Sequence, residues 1–100
     1  MKLRPVDFLI LEVLTEGRNV NANISAEINR ERHYVSNRMG YLLDYGLVTK
    51  IGPNENVGLY EITEKGEAVL ELQDCYGEIS DFDEAIERYL AGDTTIIQEC

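Results

Sequence analysis

Residues 21–46 read NANISAEINRERHYVSNRMGYLLDYG, and the spacing of apolar side chains within them decides the fold. Asn21 is a good N-cap for a short helix through Ile28, with Ile24 and Ile28 on one face. Asn29-Arg30-Glu31-Arg32 breaks that period, and Asn29 tolerates the left-handed backbone of a tight turn. A second helix is predicted from about Arg32 to Tyr45, stopping at Gly46, with Val35, Met39 and Leu42 as its buried stripe and Leu43 alongside. With Val35 at the buried centre, His33, Ser36, Asn37, Gly40 and Asp44 fall on the opposite, exposed arc.

Toward the N-terminus, Pro5 suits the first position of a helix over residues 5–16, and Gly17 is a plausible C-cap. Val6, Leu9, Ile10, Val13 and Leu14 repeat there at helical spacing. Toward the C-terminus the period becomes that of strands. Leu47–Ile51 and Gly58–Ile62 flank the turn-rich Gly52-Pro53-Asn54-Glu55-Asn56-Val57 and read as a hairpin. Thr63 caps a further helix through roughly Leu72, with Ala68, Val69 and Leu72 inward. After Gly77, Ser80 or Asp81 caps an amphipathic helix over Asp81–Ala91. Residues 93–100 read as a loose tail.

The order α-α-α-β-β-α-α gives an α+β class, mainly α. It is a winged helix-turn-helix with three helices, a two-stranded β-wing and additional C-terminal helices. One domain is expected overall: a winged-helix DNA-binding part over 1–76, an amphipathic helix for dimerisation over 77–92, and a flexible tail over 93–100. One hundred residues suit one such domain.

The formal charge of −10 argues at first sight against a polyanionic partner. The charge is unevenly spread, however. Residues 1–66 hold eight Lys/Arg and nine Asp/Glu, a net of −1; residues 67–100 hold only Arg88 against ten acidic side chains, a net of −9. The acidity therefore leaves a binding face in the first two thirds open. Six Arg to three Lys amid this acid excess fits a high-salt cytoplasm, where surface carboxylates maintain solubility.

The expected partner is double-stranded DNA, read by a recognition helix over about 32–45 in the major groove, with a wing over about 47–62. Asn37 can pair with adenine N6 and N7, and Arg32 with guanine O6 and N7. The candidate DNA-binding residues are Arg30, Arg32, His33, Ser36, Asn37, Arg38, Lys50, Asn54 and Asn56. Gly40 leaves the face bare for close approach. Tyr34, Arg38, Tyr41 and Tyr45 form a stripe on the helix flank, read as packing in preference to an aromatic ledge.

The pieces Ile24-Ser25-Ala26-Glu27-Ile28, Tyr34-Val35-Ser36-Asn37-Arg38-Met39, Leu43-Asp44-Tyr45-Gly46-Leu47-Val48 and Leu59-Tyr60-Glu61-Ile62-Thr63-Glu64-Lys65-Gly66 carry a family resemblance. Together they resemble the winged-helix transcriptional regulators of haloarchaea, most of all the phage-repressor type. With the first helix counted, the resemblance covers about two thirds of the chain. It implies recognition contacts from residues 32–38 and a wing from Lys50 to Val57. Such proteins often cap the recognition helix with Ser or Thr, where this chain has Glu31. A carboxylate there would repel a nearby phosphate.

Nothing in the sequence points to catalysis, so an enzyme, a small-molecule substrate and a cofactor are not expected. Asp81, Asp83, Glu84 and Glu87 read as a solvated helix face. Gly52-Pro53-Asn54 lacks the following Gly-Lys-Ser/Thr and helix of a phosphate loop. His33 alone cannot build a metal site. Cys75 and Cys100 have no paired spacing, which argues against a disulfide framework and for a reducing cytoplasm. No apolar run approaches the roughly 18 residues of a membrane span, and the N-terminus does not read as a signal peptide. The expectation is a cytoplasmic regulator, a homodimer in which the apolar side of the last helix, Phe82, Ile86, Tyr89 and Leu90, packs with the first helix and the partner subunit. The competing reading is a winged-helix protein-protein interaction module without DNA binding.

Overall fold

The computed structural model describes residues 1–52 and 58–100. Helix α1 spans Pro5–Thr15, α2 Asn21–Ile28, α3 Arg32–Asp44, α4 Glu64–Glu71, α5 Phe82–Leu90 and α6 Ile96–Glu99. The strands are β1 (Asn19–Val20), β2 (Val48–Ile51) and β3 (Leu59–Ile62). This is a winged helix, as the sequence reading expects, with one strand more. The sheet has the order β1-β3-β2 and is antiparallel throughout. Val48 to Ile51 pair with Ile62 to Leu59, and Val20 pairs with Leu59 on the other edge of β3. Two residues are too few to show any alternation, so β1 is visible only once the fold brings it beside β3.

The core forms where α1, α2 and α3 meet the sheet and α4. Ile10, Leu11, Ile24, Val35, Leu42, Leu47, Val69, Leu72 and Ile86 are all buried. In α1 the inward stripe is Val6, Asp7, Ile10, Leu11 and Leu14, whereas Leu9 and Val13 are only half-buried. The apolar period is satisfied by either set; the structure selects the one that turns Asp7 inward. Asn29 adopts φ 55° and ψ 53°, so its left-handed backbone makes the turn between α2 and α3.

Thr63 fastens the hairpin to α4. Its Oγ1 accepts from Gly66 N–H (3.1 Å) as the N-cap and donates to the Gly46 carbonyl (2.6 Å). Gly66 lies against the backbone of Leu47, where no side chain fits. The aromatic series Phe8–Tyr76–Phe82, with centroid separations of 5.8 and 5.1 Å, joins α1 to the start of α5.

Two expectations about the C-terminal part, the loose tail and the absence of a disulfide, are corrected. Residues 93–100 are not a loose tail: Ile96 is fully buried, and α6 packs on α5. That docking brings Cys100 back to the buried Cys75, and the two form a disulfide with Cα atoms 5.2 Å apart. Linear spacing cannot show a pairing that depends on where a terminal helical turn lands. Also, Phe82, Ala85 and Ile86 of α5 are buried within the protomer, leaving Tyr89 and Leu90 half-exposed.

A Cβ at position 66 would collide with the Leu47 carbonyl oxygen and lie 2.7 Å from Ile62 Cγ1. Gly66→Ala is therefore expected to destabilise the domain by about 1–3 kcal/mol, read from urea melts against wild type. A change within about 0.5 kcal/mol would mean that the hairpin and α4 separate at little cost.

Candidate nucleic-acid interface

Helix α3 has an outward face because its inward side is fixed twice. Val35, Met39 and Leu42 anchor it in the core, and Arg38 anchors it electrostatically. The Arg38 guanidinium donates through Nε to Asp7 Oδ1 (2.9 Å) and through a terminal nitrogen to Asp7 Oδ2 (2.8 Å). The same terminal nitrogen donates to the Lys2 carbonyl at 3.3 Å. Hydrogen bonding to Asp7 outweighs the cost of burial and raises the guanidinium pKa further above its already high ordinary value.

Asp7 is completely buried and also accepts from Arg4 N–H at 2.8 Å, at the N-terminus of α1. The helix dipole there favours the negative charge. Arg38 is therefore an internal tie between α1 and α3, and its assignment to the DNA face is corrected. An arginine on the helix flank looks like a phosphate ligand in sequence; the partner that buries it lies 31 positions away.

The other candidates on α3 are where the sequence places them. His33, Ser36 and Asn37 are exposed on the predicted arc, Arg32 is exposed at the start of the helix, and an added Cβ at Gly40 would meet nothing within 4 Å. A shallow hollow runs over Asn37, Gly40, Leu43 and Asp44. The arc is polar and cationic at its N-terminal half and turns acidic at Asp44. Arg30 folds back on the turn, donating to the carbonyls of Ile28 (3.1 Å) and Asn29 (3.2 Å), so its guanidinium partly caps α2. Lys50 is exposed on β2, opposite Tyr60 of β3. Asn54 and Asn56 lie outside the described residues.

Glu31 takes the position for which Ser or Thr is usual, and it caps α3 effectively. One carboxylate oxygen accepts from His33 N–H and the other from Tyr34 N–H, each at 3.0 Å. These bonds satisfy two orphan donors and hold the carboxyl below its ordinary range. The flanking tyrosines divide between packing and exposure. Tyr41 lies under the Arg38 guanidinium, 4.5 Å from ring centroid to Cζ, and Tyr45 Oη meets the Lys2 backbone. Tyr34 and Tyr41 remain 40% and 46% exposed, so packing accounts for only part of the stripe.

The family model described as winged helix-turn-helix matches residues 6–81. No curated protein matches the chain. Among solved structures, wild-type ZitR of Lactococcus lactis in complex with DNA is similar at 23% identity and a TM-score of 0.63, covering 91% of this chain and 73% of that one. ZitR is described elsewhere as a zinc-responsive MarR family member, in a structure matching at 21% identity and a TM-score of 0.61, with 91% and 74% of the two chains covered. The adhesin competence repressor AdcR of Streptococcus pyogenes matches at 19% identity and a TM-score of 0.62, with 98% and 73% covered. At such identities the likeness concerns the fold.

Because the folded-state pKa of Glu31 is depressed, its stabilising contribution is complete above the ordinary value of 4.5 and disappears as pH falls through the lower, folded value. Glu31→Ala is expected to melt below wild type at neutral pH, with the gap closing as the pH drops under 4.5. A gap that stays constant into acid would show that the carboxylate does not act as the cap.

Proposed function

The chain belongs to the winged helix-turn-helix family, and on that premise we propose that it is a sequence-specific double-stranded DNA-binding transcription regulator, acting as a repressor. The observation that carries this reading is the exposed arc of α3, with Arg32, His33, Ser36 and Asn37 facing outward beside the β2–β3 wing. A helix presented in this way enters the major groove with its N-terminal residues at the base edges. ZitR, similar in fold, has been solved with DNA bound, which supports the reading. Its zinc response is not carried over: among the described residues no three His, Cys, Asp or Glu side chains come together as a metal site requires.

The acid excess and the preference for Arg support a saline cytoplasm and a regulator of the haloarchaeal phage-repressor type. The cysteine pair does not argue for a reducing compartment, so the cytoplasmic location follows from DNA as the partner. No helix among the described residues is long and apolar enough to cross a membrane. The protein acts as a homodimer, and with most of α5 buried in the protomer, Tyr89 and Leu90 supply its rim of the interface. Nothing in the arrangement calls for an enzymatic role. The interaction-module reading draws on one observation, the exposure of Tyr34 and Tyr41.

Asn37→Ala is expected to remove about 1–3 kcal/mol of discrimination at one base pair while sparing non-specific binding. Lys50→Ala is expected to weaken operator and scrambled duplex alike. Both side chains are exposed, so thermal melts should change by no more than about 0.5 kcal/mol. Full discrimination in Asn37→Ala, with a protein partner lost on Tyr34 or Tyr41 replacement, would favour the interaction module.

In the same titrations, affinity is expected to depend weakly or even positively on KCl, because a protein of charge −10 must hold cations between its carboxylates and the phosphates. The steep negative slope of a basic binder would contradict this. Light scattering in molar KCl should give a dimer, with half-sites about 10 base pairs apart or a multiple of it. A species of 11.4 kDa alone would remove the dimer.

A further inference from the structure

A cleft of about 530 Å³ opens between the N-terminal segment, the inner flank of α3 and Tyr76. Its lining contains no Asp or Glu, although the chain has 19 of them and a net charge of −10. Lys2 and Arg4 both line it and are exposed, and no carboxylate lies within ion-pair distance of either among the described residues. Arg38 lines it too, but its charge is matched by Asp7. The cleft therefore holds two uncompensated positive charges.

The aromatic wall adds a second chemistry. Tyr41 keeps nearly half of its surface open beside Tyr45, their centroids 6.5 Å apart and their planes inclined by 37°. With the Arg38 guanidinium over one face of the Tyr41 ring, the surface left for a flat ring is the open remainder beside Tyr45. Tyr76 Oη accepts from Leu3 N–H at 2.8 Å, which leaves its own proton for an anionic acceptor. Tyr45 Oη is already engaged with both backbone groups of Lys2, so it shapes the wall instead of binding. The volume lies in the range of small-molecule sites.

We infer that this cleft binds a small phosphate monoester carrying a flat ring, of nucleoside-monophosphate size. Two unpaired cations match the roughly −1.5 to −2 charge of a phosphate monoester near neutral pH, which a diester in a DNA backbone does not carry. The phosphate lies between Lys2, Arg4 and the Tyr76 hydroxyl, and the ring rests on Tyr41. Ser36 and Asn37 do not line the cleft, but Tyr41 lines both it and the hollow over Asn37 and Gly40, so the ligand borders the arc proposed to read DNA.

The test is calorimetric titration of the full chain with adenosine 5′-monophosphate, without DNA. Saturable one-to-one binding is expected with a dissociation constant below about 1 mM. Adenosine and inorganic phosphate should each bind at least about tenfold more weakly, since each lacks one half of the recognition. Arg4→Gln, which keeps the backbone bond to Asp7, should weaken the monophosphate by about tenfold or more with an unchanged melting temperature. Tyr41→Ala should reduce the monophosphate to the level of inorganic phosphate. Absence of heat with the monophosphate, or binding unchanged in Arg4→Gln, would overturn the inference. So would competition by a short blunt duplex without terminal phosphate, because it would place the cation pair in the DNA surface. The titration contains no DNA, so its failure leaves the DNA-binding reading intact.

Discussion

The buried Asp7–Arg38 pair sets the relation between the first helix and the helix proposed to read DNA. A carboxylate with no solvent exposure is tolerable only when its charge is met and its oxygens are bonded, and both conditions hold here. Oδ1 takes the guanidinium Nε, while Oδ2 takes a terminal guanidinium nitrogen and the Arg4 backbone N–H. One side chain thus closes the start of α1 and fixes the rotation of α3 about its axis. Removing either partner would leave an isolated buried charge. Apolar packing alone would permit small rotations of α3, since Val35, Met39 and Leu42 are non-directional contacts. The planar, two-point ion pair removes that freedom, and the outward arc follows from it.

The same constraint shapes the face proposed to read DNA in this acidic protein. The arginine nearest the middle of α3 is neutralised internally, so the outer arc carries mainly hydrogen-bonding groups with cations at its N-terminal end. The net −9 of residues 67–100 belongs to the part of the chain from α4 onward, after the wing. Specificity by amide and imidazole contacts, with few phosphate contacts, is the chemistry such a surface supports. It also makes the stability of α3 depend on local capping. Glu31 contributes there by accepting two backbone bonds, at the cost of a carboxylate close to where a phosphate would approach.

Much of the fold is legible in the sequence because its signals are local. The Asn29 turn, the Thr63 and Asp81 caps and the α3 stripe each depend on neighbours within four residues, and all are found as read. What escapes are features set by distant partners. β1 needs β3, Ile96 needs a groove made by other helices, and Cys75 needs Cys100 brought back over 25 positions. The exposed candidates His33, Ser36 and Asn37 follow from helical phase alone. Arg38 fails for an instructive reason: its phase is that of the flank, and only a buried acid on α1 decides that it turns inward. Asp7 carries no such mark in sequence, because the apolar period of α1 fits equally well with Leu9 and Val13 inside.

Asp7 and Arg38 act as one unit in holding α3. A double-mutant cycle on folding stability, with Asp7→Leu, Arg38→Met and both together, tests it most directly. Each single replacement should cost about 3–5 kcal/mol, since it leaves one buried charge unmatched, and the double variant should recover a large part of that loss. Single costs that are small and simply add in the double variant would contradict the account.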